Sequence, residues 1–170
     1  MHKKFLLITF FLIIISIYFE PIYTYSVTIN KWELNLFGSK ILKYEDDDFG
    51  GISGLTISKN GENFVMISDK SFFFKGKIIR DNLNKITDLK ILEKGKLSSS
   101  KGEILTGKNI DSESIVKINR NGYYISFESN NRIMYHETLK SPGKFMPKHS
   151  DFNKLLFNDG IEALAIKDNG

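Results

Sequence analysis

The chain has 170 residues and no Cys, and its 24 Lys and Arg residues against 20 Asp and Glu give a formal net charge of +4. Hydrophobic residues make up 41% of the chain and aromatic residues 13%, which is too rich for a disordered protein, and the length suits one domain or part of a larger one. The absence of Cys excludes disulfides, thiolate metal sites and a cysteine nucleophile.

The first 26 residues have the pattern of a targeting segment. A basic start is followed by Phe5–Phe19, an almost continuous apolar run of 15 residues. This length is typical of the apolar part of a signal peptide and short for a membrane span. We therefore expect residues 1–26 to be a signal peptide or an uncleaved N-terminal anchor, and the protein to be periplasmic or extracellular. Contact with a membrane is expected only through residues 5–19.

Two charged stretches outside this segment are interpreted as surface features. Residues Lys94 to Lys108 are rich in Gly, Ser and Lys and lack interleaved aromatic residues, so an exposed connection is predicted and a nucleic-acid partner is not. Glu45-Asp-Asp-Asp48 lacks the spacing and the Gly of a calcium loop. It is predicted to be a surface loop, with a partial cation patch as the alternative.

From Val27 onward the sequence favours an all-β fold. Short runs rich in Ile, Val, Phe and Tyr alternate with polar residues between Gly and Asn turns, and no helical repeat is sustained. Trp32 with Leu34 and Leu36 alternates as a strand. The other predicted strands are Leu55–Ser58, Phe64–Ser68, Phe72–Phe74, Lys77–Arg80, Ile86–Leu92, Ser114–Ile118, Tyr123–Phe127, Arg132–His136 and Ala163–Lys167.

An internal repeat organises these strands. Residues 51–61 (GISGLTISKNG) align without gaps to residues 160–170 (GIEALAIKDNG), with identity at six of eleven positions. Another copy lies between these two, at residues 113–122 (ESIVKINRNG), and fits with one extra residue. In chain order, residues 51–61, 113–122 and 160–170 are the first, second and third copies. Each copy ends in Asn-Gly, which predicts a hairpin with a type I′ turn.

The spacing of the repeat predicts the architecture. Ser53, Glu113 and Glu162 take equivalent places, 60 and 49 residues apart, close to the roughly 40 to 50 residues of a four-stranded propeller blade. Closure of a propeller takes about four to eight blades. We therefore expect an incomplete β-propeller over residues 27–170, with about two blades and the start of a third, and a truncated chain.

The motifs of the chain resemble the phytase-like family, described as the esterase-like activity of phytase. They occur in the family's order from about residue 49 to residue 166: FGGISGL at 49–55, MISDK at 66–70, DSESI at 111–115, ISFESNNRI at 125–133 and NDGIEAL at 158–164. The resemblance implies an exported β-propeller, usually about twice as long as this chain, with a phosphoester- or ester-cleaving role. Whether the truncated domain is active stays open.

Five carboxylates are predicted to gather at one mouth of the propeller channel. The first strand of each blade lines the channel, and the repeat places two acids at equivalent strand starts, with a third two residues earlier on the same face. Two more acids end second strands. In chain order the five are Asp69, Asp111, Glu113, Glu128 and Glu162.

Crowded carboxylates need a proton, a basic partner or a hard cation. We expect all five to bind a metal ion, with Glu113 and Glu162 also catalytic, and Ca²⁺ is the best-suited ion because it accepts six to eight oxygens in loose geometry. The resemblance also points to the calcium-using propeller phytases, which hold metal ions against phosphate with such acids. Arg132 is predicted to bind a substrate phosphate or carboxylate.

Structural roles stand beside these assignments. The acids can accept backbone N–H bonds that fix the geometry of a blade, and Arg132 can form an ion pair at a strand end. Two functions therefore remain open. One is a metal-assisted hydrolase of a small phosphoester or ester, and the other is a non-catalytic propeller module that binds a ligand or protein at the cell surface.

Overall fold

Two antiparallel sheets make up the described part of the protein. The computed structural model describes residues 38–118, 122–155 and 160–167, which all lie in one compact unit, Leu36–Gly170. The predicted targeting segment and the predicted strand at Trp32 lie outside the described residues. The all-β prediction is confirmed, since the only helical elements in the described ranges are two short 3₁₀ helices, Gly107–Asn109 and Ser150–Lys154. None of the described helices is long and apolar enough to cross a membrane.

The first sheet contains four strands in chain order: β1 (Ile52–Ile57), β2 (Asn63–Ser68), β3 (Phe72–Arg80) and β4 (Ile86–Lys96). The sequence divided β3 into two strands around Gly76. The strand is continuous because Gly76 sits at a bulge where a β-carbon would collide with the Lys90 carbonyl and the Phe64 ring.

The second sheet repeats this order with β5 (Ser112–Lys117), β6 (Tyr123–Phe127), β7 (Arg132–His136) and β8 (Lys144–Phe145). The predicted bounds of β6 and β7 are confirmed. The two-residue β8 was not predicted, because so short an edge strand lacks any alternation of apolar and polar residues.

One apolar core joins the two sheets, and a second covers the far face of the first sheet. The first core combines Val65, Ile67 and Phe73 from the first sheet with Ile115, Ile125, Phe127 and Met134 from the second. The second core contains Phe64, Met66, Phe74 and Ile78, with Leu42 and Phe49 packed against it. The middle strands of the first sheet, β2 and β3, are therefore largely buried on both faces.

The exposed connection predicted at Lys94–Lys108 is confirmed for residues 100–104 and 106–108, which are exposed, but not for the rest of the range. Its first three residues belong to β4, and Leu97 and Leu105 are 0% and 4% exposed within the first core. The Leu97 N–H donates to the Ser71 carbonyl (2.9 Å). Composition misled here because two buried leucines are surrounded by polar residues that face solvent.

Two smaller predictions also need correction. Residues Ala163–Lys167 form no strand, because the described contact with β5 is a bond from the Leu164 N–H to the Ser114 hydroxyl and not a backbone ladder. The first Asn-Gly turn is not type I′, since Gly61 has φ 71° but Asn60 does not have positive φ. Instead, the Gly61 N–H donates to the Ser58 carbonyl and the Ser58 N–H to the Asn63 carbonyl, which gives a longer loop.

Equivalent positions of the repeat differ sharply in burial, which generates a stability prediction. Leu55 in β1 is 55% exposed, whereas Ile115 at the same position of β5 is 4% exposed in the first core. We expect Ile115→Ala to lower the free energy of unfolding by about 2–4 kcal/mol and Leu55→Ala to lower it by less than about 1 kcal/mol. Urea denaturation of both variants measures the difference, and equal losses would contradict the described core.

Candidate functional site

The same β-bulge occurs at the start of β1 and of β5. In β5, Ser112 pairs with Phe127 and Ser114 with Ser126, so Glu113 is the extra residue. In β1, Ile52 pairs with Ser68 and Gly54 with Ile67, so Ser53 is the extra residue. A bulge turns the side chain of its extra residue away from the regular alternation of the strand. Glu113 is therefore aimed by a backbone feature that the repeat carries twice.

A second repeated feature places Glu128 beside Asp111. The Glu128 N–H donates to the Asp111 carbonyl (2.9 Å), and the Asp69 N–H donates to the Gly51 carbonyl at the same distance. Both donors directly follow the second strand of their sheet. This confirms that Glu128 and Asp69 occupy corresponding strand ends, as the sequence predicts.

Three of the predicted carboxylates meet in the second sheet. Asp111, Glu113 and Glu128 each offer a carboxylate oxygen, and these oxygens lie within 4.8 Å of one another. Asp111 and Glu113 are half-buried, and Glu128 is 9% exposed. We call these three residues the acidic group. Their charges are crowded where solvent can screen them only in part.

The electrostatics of the group act most strongly on Glu113. Burial and the negative charges of Glu162, Asp111 and Glu128 together raise the pKa of the Glu113 carboxyl to about 7, and burial is the largest cause. A hydrogen bond with Asp111 also favours the protonated form of Glu113. Glu162 is exposed, so it joins the group electrostatically from the solvent side.

Two residues near the turn between β6 and β7 support the acidic group. They are Ser129, in the turn, and Arg132, the first residue of β7. The Ser129 hydroxyl donates to Asp111 Oδ2 (2.8 Å). The backbone of Ser129 has φ 55°. Sequence reasoning missed Ser129, although its place directly after a strand-end acid was a usable signal.

Arg132 is a buried link between two loops. Its Nη2 donates to the Asn109 carbonyl (2.6 Å) and its Nη1 to the Asn130 carbonyl (3.0 Å). Its guanidinium lies 4.0 Å from the centre of the Phe127 ring, and burial lowers its pKa to about 10. Binding of a substrate anion by Arg132 stays a prediction, and the described contacts hold the backbone two residues before Asp111 and two residues after Glu128.

Buried serines fix the first strands relative to each other. The Ser53 hydroxyl donates to the Ser112 carbonyl (2.5 Å), and the Ser112 hydroxyl donates to the Ser68 carbonyl (2.6 Å). Ser112 is fully buried. These bonds tie β5, the strand that carries Glu113, directly to the first sheet.

Asp69 and the acidic run at residues 45–48 lie apart from this group. Asp69 is exposed beside Gly51 and is not among the three described carboxylates that meet. In the acidic run at residues 45–48, Asp46 and Asp48 form ion pairs with Lys94 (2.5 and 2.7 Å). The bond to Lys94 lowers the pKa of Asp46. Because Lys94 belongs to β4, these ion pairs hold the surface segment against that strand.

Comparison with known proteins gives one match. The model of the phytase-like family, described as the esterase-like activity of phytase, matches residues 47–170, which is more than half of the chain. The matched range includes both sheets and the acidic group. No curated protein and no solved structure gave a significant match.

The raised pKa of Glu113 generates a pH prediction for the protein without cation. The Glu113 carboxyl has a pKa of about 7 in the folded protein and about 4.5 in the unfolded chain. Its contribution to stability is therefore fully present below pH 4.5. This contribution is lost as the pH rises to 7. Between pH 5 and pH 8 the wild type should therefore lose roughly 1 kcal/mol more stability than Glu113→Gln, a figure reduced for solvent screening.

Thermal unfolding in a chelating buffer at several pH values measures this difference. Glu162→Gln provides a second variant, which should reduce the pH dependence without abolishing it. Parallel pH profiles for the wild type and Glu113→Gln would show that the carboxyl titrates normally.

Proposed function

The chain belongs to the phytase-like family, and from this premise we propose that it is a β-propeller unit whose acidic group binds a divalent cation for phosphoester or ester hydrolysis. The single observation that carries the proposal is the meeting of Asp111, Glu113 and Glu128, with their carboxylate oxygens within 4.8 Å. Ca²⁺ is the proposed ion.

The propeller architecture is supported by inter-repeat contacts that recur. Gly54 in the first copy approaches the backbone nitrogen of Ile115 in the second, since a β-carbon on Gly54 would lie 3.0 Å from it. Ser114, the counterpart of Gly54, accepts a hydrogen bond from the backbone nitrogen of Leu164 in the third copy (3.1 Å). Each copy therefore meets the next at the same place, as rotation about a common axis requires.

The geometry and chemistry of the acidic group fit calcium. Ca²⁺ binds carboxylate oxygens at about 2.3–2.6 Å, so two of its ligands are at most about 5 Å apart. The oxygens of Asp111, Glu113 and Glu128 meet this condition. The half-buried charges also repel, as the raised pKa of Glu113 indicates. A cation removes that repulsion and displaces the proton from Glu113.

We assign separate tasks to the residues around the ion. Asp111, Glu113 and Glu128 would hold it, and a bound Ca²⁺ would supply polarisation of the phosphoryl or carbonyl oxygen and of the attacking water. Ser129 keeps Asp111 oriented through its hydroxyl. Glu162, exposed beside Glu113, exchanges a proton with the reacting water and with solvent. Glu113 contributes to catalysis by holding the ion. We propose that the protein acts after export, in the periplasm or outside the cell.

A binding module is the second candidate, and one observation favours it. An open groove of about 400 Å³ lies against the outer face of the second sheet. Its lining is mainly apolar and includes Val116, Tyr124, Ile133, Met146, Leu164 and Ile166. In this reading the cation stabilises the propeller, and the groove receives a partner.

Calcium titration by calorimetry on the full chain tests the metal assignment. We expect Asp111→Asn and Glu113→Gln to weaken calcium binding by about tenfold or more, since each removes a ligand charge worth about 1.4 kcal/mol or more. Asp69→Asn is the matched control, because Asp69 ends the corresponding strand of the first sheet and lies outside the acidic group. It should leave the affinity unchanged.

Hydrolysis of a chromogenic phosphomonoester and a chromogenic carboxylic ester tests the catalytic assignment. We expect Glu162→Gln to lower kcat at least tenfold, while calcium affinity changes by less than about threefold because this residue is outside the ligand set. Calcium binding without any hydrolysis would favour the binding module. A folded wild type that binds no calcium would refute the metal site.

A further inference from the structure

We propose that Gly160 is a positioning residue of the acidic site. Because Gly160 has no side chain, the chain passes directly over Glu128. This close passage holds the Glu128 carboxylate beside Asp111 and brings Glu162 to the acidic group. This inference rests on the proposed function for its consequence, because it identifies a residue that sets the geometry of the proposed metal site. Gly160 is not itself a ligand and contributes no atom to the chemistry.

The contact between Gly160 and Glu128 leaves no room for a methyl group. A β-carbon on Gly160 would lie 2.6 Å from Glu128 Cγ, 2.8 Å from Glu128 Cβ and 3.1 Å from Asn131 Oδ1. Carbon atoms that are not bonded approach to about 3.5–4.0 Å at best. Alanine at this position therefore forces either Glu128 or the chain at residue 160 to move.

Both movements damage the acidic site. Glu128 is 9% exposed and closely surrounded. On one side lies Gly160, and close by lie the oxygens of Asp111 and Glu113. If Glu128 moves, the three-oxygen arrangement is lost.

If instead the chain moves, it carries Glu162 with it, because that residue is only two positions further on. The charge of Glu162 acts on Glu113 in the described arrangement. The chain is also anchored four residues beyond Gly160, where the Leu164 nitrogen donates to Ser114 Oγ (3.1 Å). Movement at residue 160 therefore strains this link between the second and third copies of the repeat.

The repeat supplies a matched control at Gly51, which aligns with Gly160. Gly51 also lies against a strand-end carboxylate, since a β-carbon there would collide with the Asp69 side chain. Gly51 has φ 53°, which disfavours any other residue. Gly160 is not among the residues with positive φ. Alanine at Gly160 is therefore a test of side-chain contact, whereas alanine at Gly51 disturbs both backbone and contact at a site without the acidic group.

The experiment compares the wild type, Gly160→Ala and Gly51→Ala as full chains. One measurement is calcium affinity by calorimetry, and the other is the titration of the Glu113 carboxyl, followed by ¹³C NMR without calcium. We expect Gly160→Ala to weaken calcium binding at least tenfold and to move the Glu113 pKa from about 7 toward its ordinary value. Gly51→Ala should lower thermal stability but leave the affinity within threefold and the titration unchanged.

A double-mutant cycle shows whether the effect passes through Glu128. In the background of Glu128→Gly, which removes both contacting carbon atoms, Cγ and Cβ, Gly160→Ala should change the Glu113 titration by less than half as much as it does in the wild type. This background also keeps the test informative if Gly160→Ala alone unfolds the protein. An undiminished effect of Gly160→Ala in this background would overturn the positioning role.

The outcomes separate this inference from the proposed function. If the wild type binds calcium and Gly160→Ala matches it in affinity and in titration, the positioning role is refuted and the metal site stands. If Gly160→Ala shifts the Glu113 titration but the wild type binds no calcium, the positioning role is supported and the proposed metal function fails. A loss of thermal stability in Gly160→Ala with both other measurements unchanged would show a purely structural glycine, against the inference.

Discussion

The packing of two sheets through one apolar core is the interaction on which the acidic group depends. Ile115 and Phe127 belong both to this core and to the strands that carry the acids. Glu113 lies two residues before Ile115, and Glu128 directly follows Phe127. The free energy of burying these side chains keeps β5 and β6 in register, and the register keeps the carboxylates close together.

That closeness opposes folding, since the acidic group brings like charges together in a partly buried place. The Ser129 hydroxyl reduces the cost locally by donating to the Asp111 carboxylate, and the Glu128 N–H fixes the backbone beneath the acids by donating to the Asp111 carbonyl. These bonds orient the carboxylates without neutralising them. A site that is built by the fold and left with excess negative charge is the usual arrangement of a cation-binding site.

The internal repeat explains how one chain forms the same backbone unit twice with different side-chain surroundings. The bulge at Ser53 and the bulge at Glu113 have the same register, and Asp69 and Glu128 make the same backbone contact. In the first copy the bulged residue is Ser53, whose hydroxyl bonds to the neighbouring strand. In the second copy it is Glu113, in the acidic group. The backbone is shared, and the side chain at the bulge decides the role.

The sequence by itself determined most of the strands, the repeat and the family, because these depend on local alternation and on self-similarity along the chain. It also identified Asp111, Glu113 and Glu128 as candidates and placed them at strand starts and ends. Only the tertiary structure decided that these three meet while Asp69 stays apart, that Leu97 and Leu105 are buried, and that Arg132 binds backbone carbonyls. The reason is physical, because these features arise from residues that are far apart in sequence. They include the distances between the sheets, the contact at Gly160 and the burial that raises the pKa of Glu113, and no local pattern encodes them.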